Sequence, residues 1–492
     1  MNIEQGRTAY SAETLPDSEL YIGAGWRKGA RGRTAAVTNP ATGRPIGDVA
    51  LAEAEDLADA VAAGEAGFQS WRRMSAFQRA AILRRAAALL RERADVMARR
   101  ITLEQGKPLR EATAEIHFSA EVLDWFADEG RRTYGRIIPA RANDVTARAT
   151  MEPLGLIAGF TPWNYPVGQA VRKIAIALAA GCSIIVKVAE ETPSAAVEMV
   201  RAFIDAGVPP GVLQLVYGDP AQLSAFLIAC PEVRAISFTG STAVGKTLTG
   251  LAGQHLKRCV MELGGHAPAL VLADADVDAA AASLAGDKFH NAGQACISPT
   301  RLLVARGVVD RFTAAFVDRA WAVRVGNGLD ATTTMGPLAN ARRVIALSRL
   351  VEDAVAQGAR LLCGGAGGPS EHGHFFLPTV LAEVPPTARI LHEEPFGPVA
   401  IINAVADVQE ALIEANRLPY ALAAYGWSRN ATDIDAMQRH LRAGMVSLNH
   451  NGLGYPEVPF GGILDSGFGD EGGPEALREM MYTRFLSIRS PQ

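Results

Sequence analysis

Cys296, in the stretch FHNAGQACISPTR, is one of five cysteines, and neither it nor Cys182, Cys230, Cys259 or Cys363 stands in CxxC spacing. A thiol is a nucleophile when its thiolate is accessible and stabilised, and the small neighbours Gly293 and Ala295 let a substrate and a cofactor ring approach closely. Glu262, in MELGGHAP, ends an apolar run directly before two glycines. A carboxylate at such a strand end is partly desolvated, which moves its pKa up towards the range of a general base. FTGSTAVG, residues 238 to 245, follows the run AISF and opens a helix, so Gly240 and Ser241 expose backbone N–H groups suited to a pyrophosphate. The GxGxxG of the standard dinucleotide fingerprint is missing from it. TPWNYP, residues 161 to 166, holds Asn164 between stiffening prolines, where its amide is preorganised to donate to a developing oxyanion. Read alone, each motif has an ordinary alternative: a buried structural thiol, a capping or ion-paired glutamate, a plain Gly-Ser turn, and an asparagine stabilising its own turn. His372 and His374 flank a glycine, and no HxH or HExxH framework with further ligands supports a metal.

Helices and strands must position these residues. Ile82, Leu83, Ala86, Leu89, Leu90 and Met97 recur at helical spacing within 51 to 130, and Arg84, Arg85, Arg91 and Arg93 fall mostly on other faces, which reads as a solvated surface. From 154 onward short apolar runs alternate with helical segments: LGLIAGFT, QAVRKIAIALAAG, SIIVKV, a helix over 194 to 206, LQLVY and AISF. Such alternation predicts βαβ units and a parallel sheet. A second alternating stretch begins with PALVL near 268 and continues through LLVA at 302 to 305, predicting a second α/β lobe. Residues 131 to 153 hold a candidate two-stranded ribbon around RANDV, and YTRFLSI near the C-terminus reads as a strand; both suit oligomerisation. The Gly-rich stretch 364 to 373 reads as a surface loop.

The chain of 492 residues is long enough for two or three domains, and 49% hydrophobic with 20% charged residues is the composition of a globular protein. The 48 basic and 52 acidic residues are interspersed, which argues against nucleic acid as a partner. The N-terminal stretch MNIEQGRTAYSAETLPDSEL is polar and acidic, unlike an export signal, and no apolar run reaches bilayer-spanning length. These features, with scattered cysteines, point to a cytoplasmic protein with free thiols and no membrane contact.

Taken in order, TPWNYP, KVAEETP, FTGSTAVG, MELGGHAP, GQAC and EEPFGP resemble the aldehyde dehydrogenase superfamily, from about Asn39-Pro40 to the C-terminus. The resemblance implies an α/β fold with two Rossmann-like parallel-sheet lobes, one for the cofactor and one catalytic, plus a small β element for oligomerisation. On it, residues 1–130 and 154–261 form the NAD-binding domain, 262–445 the catalytic domain, and 131–153 with 446–492 the bridging strands of a homodimer or homotetramer. Cys296 matches the family's nucleophile, Glu262 its general base, and Asn164 the side chain sharing the oxyanion hole with the Cys296 backbone N–H. Lys187 and Glu190 match residues that bind the adenosine ribose. Thr161, Pro162, Trp163, Phe238, Gly240, Ser241, Val244 and Leu263 fall along the rest of the cofactor site, and Glu394 and Phe396 fall at the nicotinamide ribose. A glutamate at 190 repels a 2′-phosphate, so NAD is expected over NADP.

Members of the superfamily that pass the acyl group to coenzyme A typically lack the glutamate of ELGG, and here Glu262 is present. A catalytically silent homologue could lose its nucleophile, base or oxyanion donor, and this chain keeps all three. PWNYPVGQAVRK and MELGGHAP look most similar to the bacterial succinate-semialdehyde dehydrogenase group, in which an arginine at the position of Arg172 helps bind the substrate carboxylate. The group's second arginine is His290 here, and its serine before PFGG falls in GLGYPEV, where Tyr455 and Leu453 make the pocket more apolar. The substrate expectation is therefore divided between succinate semialdehyde, or a related semialdehyde, and an aromatic or medium-chain aldehyde. Leu464 and Asp470 depart from the Lys and Arg common in relatives.

Overall fold

A computed structural model describes residues 14–368 and 372–490. Most of the N-terminal stretch read for export, and residues 369–371 of the Gly-rich loop, lie outside the described residues. Helices Ala54–Trp71, Ala76–Glu92, Ala94–Gln105 and Leu109–Glu129 precede the first lobe's parallel strands in the chain. Ala76–Glu92 starts where Ser75 Oγ accepts from the Gln78 N–H and the Gln78 side chain accepts from the Ser75 N–H, a reciprocal cap that satisfies two otherwise orphaned donors. Leu83, Ala86, Leu89 and Leu90 are buried, while Arg91 and Arg93 reach out to Asp124 at 2.7 Å and Asp205 at 2.6 Å. The arginine-rich face is thus a solvated, ion-paired one.

The first sheet runs Gly25–Arg27, Leu20–Ile22, Leu213–Val216, Ser183–Lys187, Leu156–Phe160, Val233–Thr239, Arg258–Glu262 and Gly467–Phe468. Its five central strands are parallel. Leu156–Phe160 and Ser183–Lys187 are buried throughout, as strands covered by helices on both faces must be. From Leu156–Phe160 the chain builds outward through Ser183–Lys187 to Leu213–Val216, and then returns to the other side with Val233–Thr239. That reversal opens a crevice at the strands' carboxyl ends, the place where open α/β sheets bind ligands. The segments carrying Asn164, Gly240 and Glu262 all leave strands there.

The second sheet runs Arg360–Cys363, Thr379–Ala382, Val399–Val405, Arg301–Ala305, Pro268–Val271, Ala423–Trp427 and Met445–Leu448, parallel except for its first edge strand. The fold is α/β, with two such lobes and a small antiparallel element. In the latter, Arg136–Ile138 pairs with Val145–Pro153, and Met481–Arg489 adds along the other edge of Val145–Pro153. Ile137 and Phe485 of this element are exposed. No helix among the described residues is long and apolar enough to cross a membrane.

Candidate active site

Glu262 is the last residue of Arg258–Glu262, and Cys296 lies in the loop after the helix Val277–Phe289 and a short turn His290–Gly293. The two meet: Cys296 Sγ lies 3.0 Å from Glu262 Oε1. Asn291, Ala292 and Gly293 all have positive φ, at 49°, 51° and 68°, so the chain winds left-handed just before the thiol. For the two non-glycine residues that conformation is strained and persists only if the surroundings fix it. They do so with buried hydrogen bonds. The Asn291 N–H donates to Glu111 Oε2 at 2.8 Å, its Nδ2 donates to the carbonyls of Asn164 and Gln294, and its Oδ1 accepts from Gln105 at 2.9 Å. A side chain at Gly293 would meet the Gly397 carbonyl at 2.1 Å, and one at Gly265 would meet the Cys296 carbonyl at 2.5 Å, so both must be glycine for the loop to seat.

The Asn164 side chain donates to the Gln294 carbonyl at 3.0 Å, while its Oδ1 is buried without a partner. The backbone of Asn164 is held as firmly. Lys107, fully buried, donates to the Asn164 carbonyl at 2.8 Å and pairs with Glu115 at 2.6 Å, and Glu115 accepts from the N–H groups of Val167 and Gly168. Breaking this pair strands a buried carboxylate, so Lys107→Met is expected to lower the unfolding free energy by about 3 kcal/mol, measured by urea denaturation.

Electrostatics bind the thiol and carboxylate together. Burial pushes the Cys296 thiol well up, and the adjacent Glu262 charge pushes it further. Burial also raises the Glu262 carboxyl, followed by the charge of Glu471, while the bond to Cys296 opposes. A thiolate and a carboxylate in contact away from water cannot both be charged, so the pair retains a proton. Below Glu262, Lys173 donates to Ser237 at 3.0 Å, to Thr239 at 2.7 Å and to Glu471.

Two cavities converge on Cys296. The first, of 440 Å³, is lined by Pro162, Trp163, Asn164, Gly240, Ser241, Leu263, Glu394 and Phe396. Ser241 caps the helix Thr242–Gln254, accepting from the Val244 N–H, and Leu263 packs against the start of that helix. Trp163 meets Phe396 edge-on at 5.6 Å; Phe396 has a φ of 43° and is held by Arg343, which donates to the carbonyls of Pro395 and Phe396. Glu394 is raised to about 7 by burial and accepts from the Gly265 N–H at 3.2 Å. Phe238 is buried at the end of its strand, and the Thr161 hydroxyl is buried without a partner. Lys187 and Glu190 lie outside this cavity's lining and pair with each other at 2.7 Å, and the second oxygen of Glu190 accepts from the Gly218 N–H at 2.9 Å. A helix N-terminus at the cavity wall and the buried, unpartnered Thr161 hydroxyl at the start of the neighbouring loop fit an anionic dinucleotide.

The second cavity, of 420 Å³, is lined by Phe118, Tyr165, Arg172, His290, Tyr455 and Phe460 among others. Arg172 is buried and donates to the carbonyls of Glu471 at 2.9 Å and Gly454 at 3.4 Å. His290 lies 3.6 Å from Glu111 and stacks on Tyr165, and Tyr455 is half exposed at the wall. Every residue singled out from sequence as catalytic or substrate-binding therefore lines one cavity or the other or, for Glu262, touches Cys296.

Sequence reasoning missed Gln105, Lys107, Glu115, Asn291, Lys173, Glu471 and Arg343. Asn291 was legible in principle, being a polar residue in a short run of small ones. Glu471 carried no local signal, for it meets Lys173 across 298 positions. Nothing in the structure explains Leu464 or Asp470.

The aldehyde dehydrogenase family profile matches residues 26–486. The 4-(hydroxymethyl)benzenesulfonate dehydrogenase TsaD1 of Comamonas testosteroni is 44% identical over 95% of this chain and 97% of its own length. The NADP(+) succinate-semialdehyde dehydrogenase GabD of Escherichia coli K12 is 38% identical over 96% of this chain and 99% of its own. A crystal structure of succinate-semialdehyde dehydrogenase from Burkholderia pseudomallei superposes with a TM-score of 0.94 at 38% identity, covering 96% and 98% of the two chains. With a profile spanning nearly the whole chain and relatives this similar over their full length, the chain belongs to the aldehyde dehydrogenase family, oxidoreductases that act on aldehydes with NAD(P).

Proposed function

We propose that the protein oxidises an aldehyde to a carboxylic acid with NAD, using Cys296 as nucleophile, Asn164 as oxyanion donor and Glu262 as general base. The observation that carries this reading is the contact of Cys296 with Glu262 where two cavities meet. The proton that the Cys296–Glu262 pair retains leaves to solvent as the sulfur adds to the carbonyl carbon, and the oxygen becomes an anion beside the Asn164 amide and the Cys296 N–H. NAD bound in the first cavity supplies the hydride acceptor. Loss of hydride from the former carbonyl carbon leaves a thioester on Cys296. Glu262, now a carboxylate, removes a proton from water as it attacks, the C–S bond breaks with that proton passing from Glu262 to the departing sulfur, and the acid leaves. In this reading the cofactor lies along Thr161 to Trp163, Lys187, Glu190, Phe238, Gly240, Ser241, Val244, Leu263, Glu394 and Phe396. The lobes built on 1–130 with 154–261 and on 262–445 serve cofactor and catalysis. The strands of 131–153 and 446–492 serve a homo-oligomer, which the exposed Ile137 and Phe485 support.

The choice of NAD rests on Glu190, whose carboxylate is fixed from two sides and would face a 2′-phosphate with like charge. Glu190→Ser is expected to raise the ratio of kcat/KM with NADP to that with NAD by roughly 10- to 100-fold; an unchanged ratio contradicts the assignment. For the substrate, the buried Arg172 supports a semialdehyde such as succinate semialdehyde. A second reading, an aromatic or medium-chain aldehyde, is favoured by the apolar wall around Tyr455, Leu453 and Phe460. An NADH assay with a mixed aldehyde panel, with and without coenzyme A, tests the whole: no NADH with any aldehyde sinks the enzyme reading, and strict coenzyme A dependence sinks hydrolysis.

A further inference from the structure

We infer that the second cavity is built for an aromatic aldehyde carrying an anionic group, carboxylate or sulfonate, across the ring, and that Gly454 determines this specificity. The inference rests on the reading of that cavity as the substrate site.

Charge comes first. Arg172 is 6% exposed, yet its guanidinium gives hydrogen bonds to two backbone carbonyls and makes no ion pair among the described residues. Of the carboxylates whose charge it feels, Glu471 is already paired with Lys173 and Glu262 accepts from Cys296. The other carboxylates facing the cavity are also committed or wet: Glu115 pairs with Lys107, Glu111 accepts from the Asn291 N–H beside His290, and Glu121 is exposed. A buried cation with spare donors and no counter-ion is costly, and an anion delivered by the substrate offsets that cost. The planar fork of a guanidinium matches a carboxylate or sulfonate with two parallel hydrogen bonds.

Shape then selects the ring. The guanidinium carbon sits 4.6 Å from the Phe460 ring centre and 5.8 Å from that of Phe118. Tyr165, Ile297 and Leu453 continue the apolar wall. A Cβ built on Gly454 meets nothing within 4 Å, so the backbone that Arg172 touches borders open space. Tyr455, by contrast, closes over Gly452, where a Cβ would come within 2.9 Å of its ring. The 420 Å³ cavity falls within the roughly 300–1,000 Å³ of small-molecule sites, with room for a ring. A four-carbon semialdehyde with its anion at Arg172 leaves the aromatic faces unfilled, whereas an aryl ring buries against them.

The test compares kcat/KM with NAD for 4-carboxybenzaldehyde, 4-sulfobenzaldehyde, benzaldehyde and succinate semialdehyde. At least one of the anionic aryl aldehydes should exceed both benzaldehyde and succinate semialdehyde by tenfold or more. Gly454→Val should lower the ratio of anionic aryl aldehyde to succinate semialdehyde at least tenfold, and Arg172→Met should do the same to the ratio against benzaldehyde. Ratios cancel a general loss of active enzyme. Succinate semialdehyde less than tenfold below both aryl anions overturns the ring, and benzaldehyde less than tenfold below them overturns the anion. An unchanged ratio in Gly454→Val overturns the role of that position. If no aldehyde of any class yields NADH, the underlying enzymatic reading falls with it.

Discussion

Cys296→Ala is expected to abolish NADH formation with every aldehyde, a loss of at least ~10⁴-fold, because no covalent intermediate can form without the sulfur. The other thiols offer no substitute. Cys182 is buried with its thiol pushed up to about 11, and Cys259 is likewise raised to about 11 by burial. Cys230 and Cys363 are raised by burial too, and none of these four borders the two cavities that meet at Cys296. The substitution removes one partly buried sulfur and leaves intact the Asn291, Gln105 and Glu111 bonds that hold the loop, so the variant should unfold at the same urea midpoint as the parent. A normal pre-steady-state burst of NADH in Cys296→Ala contradicts the assignment.

Glu262→Gln is expected to divide the reaction. Without a base, water attacks the thioester slowly, and steady-state turnover falls by roughly 10²- to 10⁴-fold. The first burst of NADH survives, since the amide removes the negative charge that opposes thiolate formation. The sign follows from the cause: Glu262 raises the Cys296 thiol, so its neutral replacement lowers it. The pH profile of Cys296 alkylation by iodoacetamide should accordingly move to lower pH in the variant. Burial remains the largest cause of the raised thiol, and therefore the profile should not fall all the way to that of an exposed cysteine. A shift to higher pH, or a burst lost together with turnover, contradicts the division of labour.

Both variants act on residues that short motifs already made visible. Periodicity is enough for the helices before residue 130, for the alternating strands of the first lobe and for the first two strands of the second, because burial on one helical face or on both faces of a parallel strand leaves its mark in local order. The segments that line the crevice carry local marks for the same reason: TPWNYP and FTGSTAVG each follow an apolar run and MELGGHAP ends one, and the structure gathers the three at the carboxyl ends of adjacent parallel strands. What local order cannot carry is partnership over distance. The Lys173–Glu471 pair and the addition of Met481–Arg489 to Val145–Pro153 join segments some 300 residues apart. Lys107 escaped for a different reason: a lysine after a helix reads as solvent-exposed, and only the tertiary fold reveals it buried behind Asn164. An arginine on a helix reads locally as solvent-exposed, and only its burial beside Phe460 shows that Arg172 lines the cavity.

The central claim is a thioester on Cys296 that Glu262 helps water to release. Rapid acid quench of Glu262→Gln with NAD and a turned-over aldehyde, followed by peptide mass spectrometry, tests it most directly. The account predicts an acyl group on the Cys296 peptide in amount equal to the NADH burst, decaying with the slow steady-state rate. NADH formed with no acyl group on that peptide, or with the acyl group on another cysteine, would contradict it.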